Sequence, residues 1–243
     1  MTDNHVHVGW YSDGYHYPKD VWQSECEAGI DEIAVSSTST CAELYKLVVQ
    51  EMKELVKLGG SNIHPLLWIT PKMMKTWGIH YMLHSKIRWQ AIKMHWEAHR
   101  EWFYNTKLTK NALEIARRLR VPVLIHTGEH KECHAEVFIH LCSCNPDLTF
   151  VLAHGRPITE TISVLNTCKN VMVDTAFMSA VEVKQLMNSG FCQRILFGTD
   201  APINLLYYKD LSITQYIKKQ IEELQKMLTS DQFETLMENR LYE

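Results

Sequence analysis

The chain has no run approaching the ~18 consecutive apolar residues that a membrane-crossing helix requires. It has no basic excess: 25 Lys and Arg stand against 28 Asp and Glu, a net charge of −3. That balance advertises no nucleic-acid partner and leaves room only for a local basic groove. Neither a GxGxxG fingerprint nor a P-loop occurs, which weighs against the nucleotide-binding open sheets. There is no CxxC pair either. The seven cysteines (Cys26, Cys41, Cys133, Cys142, Cys144, Cys168 and Cys192) are odd in number and scattered, which suits reduced thiols better than a disulfide framework. The opening MTDNHVHVGW lacks the basic and apolar regions of a signal peptide, so a cytoplasmic protein is expected. No linker or low-complexity tract divides the sequence, and one domain over residues 1–243 is expected.

What is present is an ordinary globular composition, 46% hydrophobic and 22% charged, with enough length for a sizeable core. Short apolar runs alternate with amphipathic stretches about eight times. The β-type runs are Asn4–Val8, Glu32–Val35, Leu66–Thr70, Gln90–His95, Val121–His126, Leu148–His154, Asn170–Thr175 and Arg194–Thr199. Several are continuously apolar, as strands of a parallel sheet buried on both faces are. Helical spacing marks Ala42–Leu58, which stops at Gly59-Gly60, and then Leu108–Leu119, Ala135–Leu141 and, more weakly, Thr161–Leu165. Two closing helices are expected at Ser212–Leu228 and Asp231–Leu241, the second capped by Ser230. The stretch Pro71–Arg88 reads equally as a helix with a lid over a pocket or as a core-packed helix, and Trp10–Tyr17 as a pocket rim or, more blandly, an aromatic surface loop. Eight βα repeats in this length fit a closed (β/α)8 TIM barrel better than an open sheet.

Histidine is the unusual residue, at 13 of 243. His5-Val6-His7 is an HxH on a strand, and period-two geometry puts both imidazoles on one face, side by side. Alone the pattern is close to chance. His126 closes the fifth β-run, His154 the sixth, and Asp200 follows the eighth, at the strand ends where a barrel gathers its catalytic groups. Imidazole and carboxylate donors suit Zn, Mn, Fe or Ni. The bland alternative is buried core histidines and a capping aspartate. On the fourth run Lys93 and His95 share a face and can both point inward. Arg156 could clamp a substrate carboxylate or phosphate, Glu129 could reach the pocket, and Asp174 could support a ligand histidine. His130 and His134 read as solvent-facing on a helix, and His64, His80, His84, His99 and His140 as structural.

The ordered motifs DNHVHVG (3–9), VPVLIHTGE (121–129), LTFVLAHG (148–155), ILFGTDAP (195–202) and MENRLYE (237–243) resemble, end to end, the amidohydrolase-2 branch of the amidohydrolase superfamily of metal-dependent TIM-barrel enzymes. The resemblance implies that His5, His7, His126 and Asp200 ligate a metal and that Asp200 doubles as general base. It implies that His154 is a second-metal ligand or a substrate-polarising group. Binuclear relatives carry a carboxylated Lys or a Glu on strand 4, so Lys93 is a bridging carbamate, a substrate-binding cation or a paired buried charge; a substrate role, shared with His95, Arg156 and Glu129, is the expectation. The cofactor expected is one or two divalent transition metals, zinc foremost. The expected reaction is hydrolysis of an ester, lactone or amide in a small, possibly carboxylate-bearing molecule, by a protein that can form homo-oligomers and binds neither nucleic acid nor membrane. The same constellation also suits non-oxidative decarboxylation. A TatD-type nuclease is disfavoured because AIKMH lacks the strand-4 Glu, and a metal-stabilised, non-catalytic binding barrel because the ligands sit at an open barrel mouth.

Overall fold

The structure is a computed structural model that describes residues 1–242; Glu243, the last residue of MENRLYE, lies outside them. All eight expected strands form, and a short ninth joins them: β1 (Thr2–Tyr11), β2 (Gly14–His16), β3 (Glu32–Ser37), β4 (Ile63–Trp68), β5 (Ala91–Met94), β6 (Val123–His126), β7 (Phe150–Ala153), β8 (Val171–Asp174) and β9 (Ile195–Leu196). β1 and β3 to β9 pair in parallel and in chain order. The sheet curls round until its ends meet. Asn4 N donates to Phe197 O at 2.8 Å, His7 N to Ala201 O at 2.7 Å, and Asp200 N to His5 O at 2.8 Å. These bonds join the segment after β9 to β1 and make a TIM barrel. Among the described residues no helix is long and apolar enough to cross a membrane.

Period-two alternation divides every strand between two cores. Inside the barrel, Ala34, Leu66, Ala91, Leu124, Val151, Ala153 and Leu196 form a cluster of mostly small side chains, closed by Leu241 from the segment after the last helix. The opposite face of the strands packs Val35, Leu67, Ile92, Ile125 and Leu152 against the helices. Two residues further up, the inward face of the strands changes character. Ser36, Trp68, Lys93, His126 and Asp174 follow Ala34, Leu66, Ala91, Leu124 and Met172 with the same parity. The apolar floor and the polar mouth of the barrel are therefore one alternation, read from bottom to top.

Several local expectations are corrected. Trp10–Tyr17 is mostly a hairpin, because a two-residue turn and the positive φ of Gly14 (137°) fold β2 back along β1. The Pro71–Arg88 stretch holds two short helices, Pro71–Lys75 and Gly78–Leu83, with Met73 and Met82 buried. Thr70 caps the first through Met73 N. The final helix is Ser230–Glu238, capped by Thr229 rather than Ser230, and residues 239–241 leave it to close the barrel. His130 and His134 flank a single 3-10 turn, Lys131–Cys133, instead of sharing a helix. Two helices were not expected: Pro18–Glu27, which carries little apolar periodicity, and Ala180–Asn188, whose Val183, Leu186 and Met187 make a short stripe capped by Ser179.

Glu25, on the first of these, is fully buried, and neither carboxylate oxygen has a hydrogen-bond partner among the described residues. Burial, reinforced by the Asp3 carboxylate, raises its pKa well above the usual carboxylate range. The folded state thus keeps a proton that the unfolded state loses, and stability falls as pH rises from the usual carboxylate value through the folded one. Glu25→Met removes the unpaired acid at nearly constant volume. Its stability in denaturant titrations at pH 8 should exceed that of the parent by about 1–3 kcal/mol, with a flatter slope between pH 5 and 8. A variant that is less stable at pH 8, or whose slope is unchanged, would contradict this account.

Candidate active site at the strand ends

A bulge in β1 between Asp3 and Val6 turns His5 and His7 together into the barrel mouth, and Asp3 Oδ1 accepts from His5 N at 3.0 Å to hold it. The two Nε2 atoms lie 3.2 Å apart. Asp200 Oδ1 is 3.0 Å from that of His5 and 2.9 Å from that of His7. Behind them, His5 Nδ1 meets Asp174 Oδ2 at 2.9 Å and His7 Nδ1 meets Ser36 Oγ at 2.9 Å. With both Nδ1 atoms protonated and donating outward, both Nε2 lone pairs face the same point as the carboxylate. His154 completes the floor. Its N donates to Asp174 Oδ1 at 2.9 Å and its ring stands 5.2 Å from that of His5. His154 and Asp200 both have positive φ (69° and 58°), a conformation rare outside glycine that is held here by the surrounding hydrogen bonds.

Lys93 reaches the same place from β5. Its side chain is buried, with Nζ 2.6 Å from His5 Nε2, 2.8 Å from His7 Nε2 and 4.7 Å above the Trp68 ring. His95, two residues on, stacks on Trp68 on one side and on His126 on the other, 3.7 Å away. His126 lies outside the His5–His7–Asp200 cluster, with its Nε2 3.1 Å from Glu97 Oε2. A Cβ at Gly128 would collide with that carboxylate, so the glycine is what lets Glu97 reach His126. Arg156 pairs with the exposed Glu129 at 2.8 Å and lies 5.5 Å from the Phe177 ring. All these groups except His5 line one cavity of about 550 Å³, together with Tyr11, Phe177 and Tyr207. Glu97, Phe177 and Tyr207 escaped the sequence reading, whereas Tyr11 belongs to the aromatic Trp10–Tyr17 segment that offered a pocket rim. Glu97 lies in a turn beyond the end of β5, where strand alternation no longer applies, and Phe177 and Tyr207 come from segments that have no periodicity.

The titration of these groups follows from burial and from one another. Burial acts to raise the Asp200 carboxyl, but His5 and His7 outweigh it and hold it well below the usual range. Burial and the Lys93 charge push His7 down to about 3. His5, although buried and near Lys93, is held up to about 8 by Asp174 and Asp200. Burial lowers Lys93 to about 8, and pushes His154 and His95 well below the ordinary imidazole value. A neutral imidazole and an ionised carboxylate are the forms that ligate metal, and His5, His7 and Asp200 supply three donors within one coordination radius. The residues present fit a divalent transition ion.

The family model for Amidohydrolase matches residues 86–223, over half of the chain. The chain belongs to the amidohydrolase family. Members generally depend on metal, and this amidohydrolase is an enzyme whose candidate metal donors are those just described. No curated protein matches the sequence. Among solved structures, the probable 2-pyrone-4,6-dicarboxylic acid hydrolase of Acinetobacter baumannii, with citric acid bound, is similar at TM-score 0.64 and 13% identity, over 97% of this chain and 98% of that one. The 4-oxalomesaconate hydratase LigJ of Rhodopseudomonas palustris is similar at TM-score 0.63 and 12% identity, over 98% and 93%. The 5-carboxyvanillate decarboxylase of Novosphingobium aromaticivorans, complexed with manganese, is similar at TM-score 0.62 and 10% identity, over 89% and 76%. At such identities the likeness is one of fold.

The geometry sets a proton-linked affinity. Below about pH 8 an ion entering this site must displace a proton from His5. Zinc affinity, measured by chelator competition, should therefore weaken about tenfold per pH unit between pH 8 and 6. His5→Ala with His7→Ala should lose the tightest ion altogether. Full occupancy in the double variant, or a flat pH profile, would rule out this donor set.

Proposed function

We propose that this amidohydrolase cleaves an ester, lactone or amide bond in a small carboxylate-bearing molecule, using one or two divalent ions with zinc foremost. The observation that carries the reading is the meeting of two imidazole Nε2 atoms and one carboxylate oxygen, within 3.2 Å of one another, at the floor of an open cavity. His5, His7 and Asp200 would hold the ion; His126, whose Nε2 meets Glu97, would have to turn to join them, and His154 would be the further donor for a second. When bound, such an ion supplies Lewis acidity, which polarises a substrate oxygen and brings a coordinated water towards a pKa of ~7. Asp200 Oδ1 is engaged by both histidines, whereas Oδ2 has no hydrogen bond among the described residues and is free to take a proton and return it to the leaving group. His154, neutral, buried and on the lining of the cavity, would stabilise the oxygen that gains charge. Lys93 and Arg156 supply the positive charge that orients the substrate carboxylate, with His95 and Glu129 setting their surroundings. The protein is expected to work in the cytoplasm.

Two variants test the assignment. Asp200→Asn keeps the shape and a coordinating oxygen but removes the basicity. Metal should stay bound while kcat falls by roughly 10²–10⁴ on whichever lactone, ester or amide a substrate screen identifies. Near-normal turnover in the metal-loaded variant would refute the role, and release of CO2 from aromatic carboxylates without any hydrolysis would replace the reaction with decarboxylation. Lys93→Met separates substrate binding from metal bridging. Unchanged metal content with a raised KM is expected, whereas loss of half the metal would assign Lys93 to the metal.

A further inference from the structure

The opposite end of the barrel carries a second concave surface. Two cavities of about 600 and 1030 Å³ adjoin there and share Arg88, Gln90, Arg240 and Tyr242, so they form one groove across the strand beginnings. Lys53, Lys86, Arg88, Arg117, Arg120 and Arg240 line it, against Glu32 and Asp147 as the only carboxylates of the lining. This is a strong local excess of positive charge on a chain whose net charge is −3. Glu32 engages Arg240, and Asp147 engages Arg117. Among the described residues Lys53, Lys86, Arg88 and Arg120 have no carboxylate within ion-pair distance.

Two further observations set the groove apart from an ordinary charged face. Lys86 and Arg120 both have positive φ (64° and 58°), so long cations occupy two positions where glycine is the unstrained choice. In the wall of the groove the His64 and Tyr242 rings stack with centroids 3.4 Å apart, and Glu32, 3.4 Å from His64 Nε2, holds the imidazole in place. Unpaired guanidinium and ammonium groups converging on one concavity match the charge and acceptor geometry of phosphoryl oxygens, and arginine forks bind them in pairs. The volume of either cavity exceeds what a single phosphate fills.

We propose that this groove is a binding site for an oligophosphate, held by Arg88, Arg120, Lys86 and Lys53 and remote from the metal cavity. The phosphate chain is the shared chemistry; inorganic triphosphate and ATP are the two probes, and they differ in whether a base can use the aromatic wall. Calorimetric titration of the metal-loaded enzyme at low salt should show one saturable site that weakens as salt rises. Arg88→Gln with Arg120→Gln should weaken binding by about a hundredfold, and Arg88→Lys with Arg120→Lys by far less, because each lost charge-assisted contact is worth roughly a factor of ten. All four positions are exposed, so melting temperature and turnover should match the parent enzyme. Equal affinity for the two probes supports a site for the phosphate chain alone, and tighter binding of ATP supports a nucleotide site. Absence of binding at millimolar probe, or binding abolished by Arg156→Gln and untouched by the groove variants, would overturn the proposal by leaving the active-site cavity as the only anion site.

Discussion

The hydrogen bonds that join the end of the sheet to its beginning do two things at once. They close the barrel, and they bring Asp200 against His5 and His7. The bond from Asp200 N to His5 O is part of the closure, and the carboxylate of the same residue meets both imidazoles from above. Asp3 strengthens the seam from within, accepting from His5 N, Thr199 N and Thr199 Oγ. A barrel that failed to close would have no three-donor cluster, and a sequence lacking that cluster would still need the same backbone bonds. Fold and site share the bonds, which is why the site sits on strand ends and not on mobile loops.

The cost of this arrangement is buried charge. Asp174, Asp200 and Lys93 all lie nearly out of contact with water. Isolated, each would be prohibitive; gathered, they offset one another. Asp174 has backbone partners on His154 and Ala176 as well as His5 Nδ1, so its negative charge is well met. Lys93 has imidazole neighbours on one side and the Trp68 face on the other, with Asp200 and Asp174 near enough to favour its charge. The polar mouth is thus a balanced set in which removal of one member alters the protonation of the rest.

Much of this was legible in the chain because closed parallel barrels write themselves as alternation. Strand positions, the inward pairing of His5 with His7 and of Lys93 with His95, and the place of Asp200 after the last strand all follow from period two and from strand ends. The engagement of His126 by Glu97 was not legible. It depends on a turn after β5 reaching the space left open at Gly128, and no periodicity crosses that turn. Helix Pro18–Glu27 went unread for a related reason. It buries little beyond Pro18, Val21 and Glu25, so its sequence carries hardly any apolar stripe. The closing role of Leu241 is a matter of tertiary packing, invisible in a tail that reads as the end of a helix.

That tail bears on how the molecule is made. Asn4 donates to Phe197 O and Asn239 O and accepts from Leu241 N, so the first strand is completed only by residues from the far end of the chain. During synthesis the ribosome delivers β1 first and its closing partners last. One edge of the growing sheet therefore stays unpaired, and the barrel bottom stays open, until residues 197–241 have followed β1 out. The closing contacts are thus the most widely separated in sequence that the barrel makes, and the entropy of bringing Asn4 and Leu241 together must be met before they contribute.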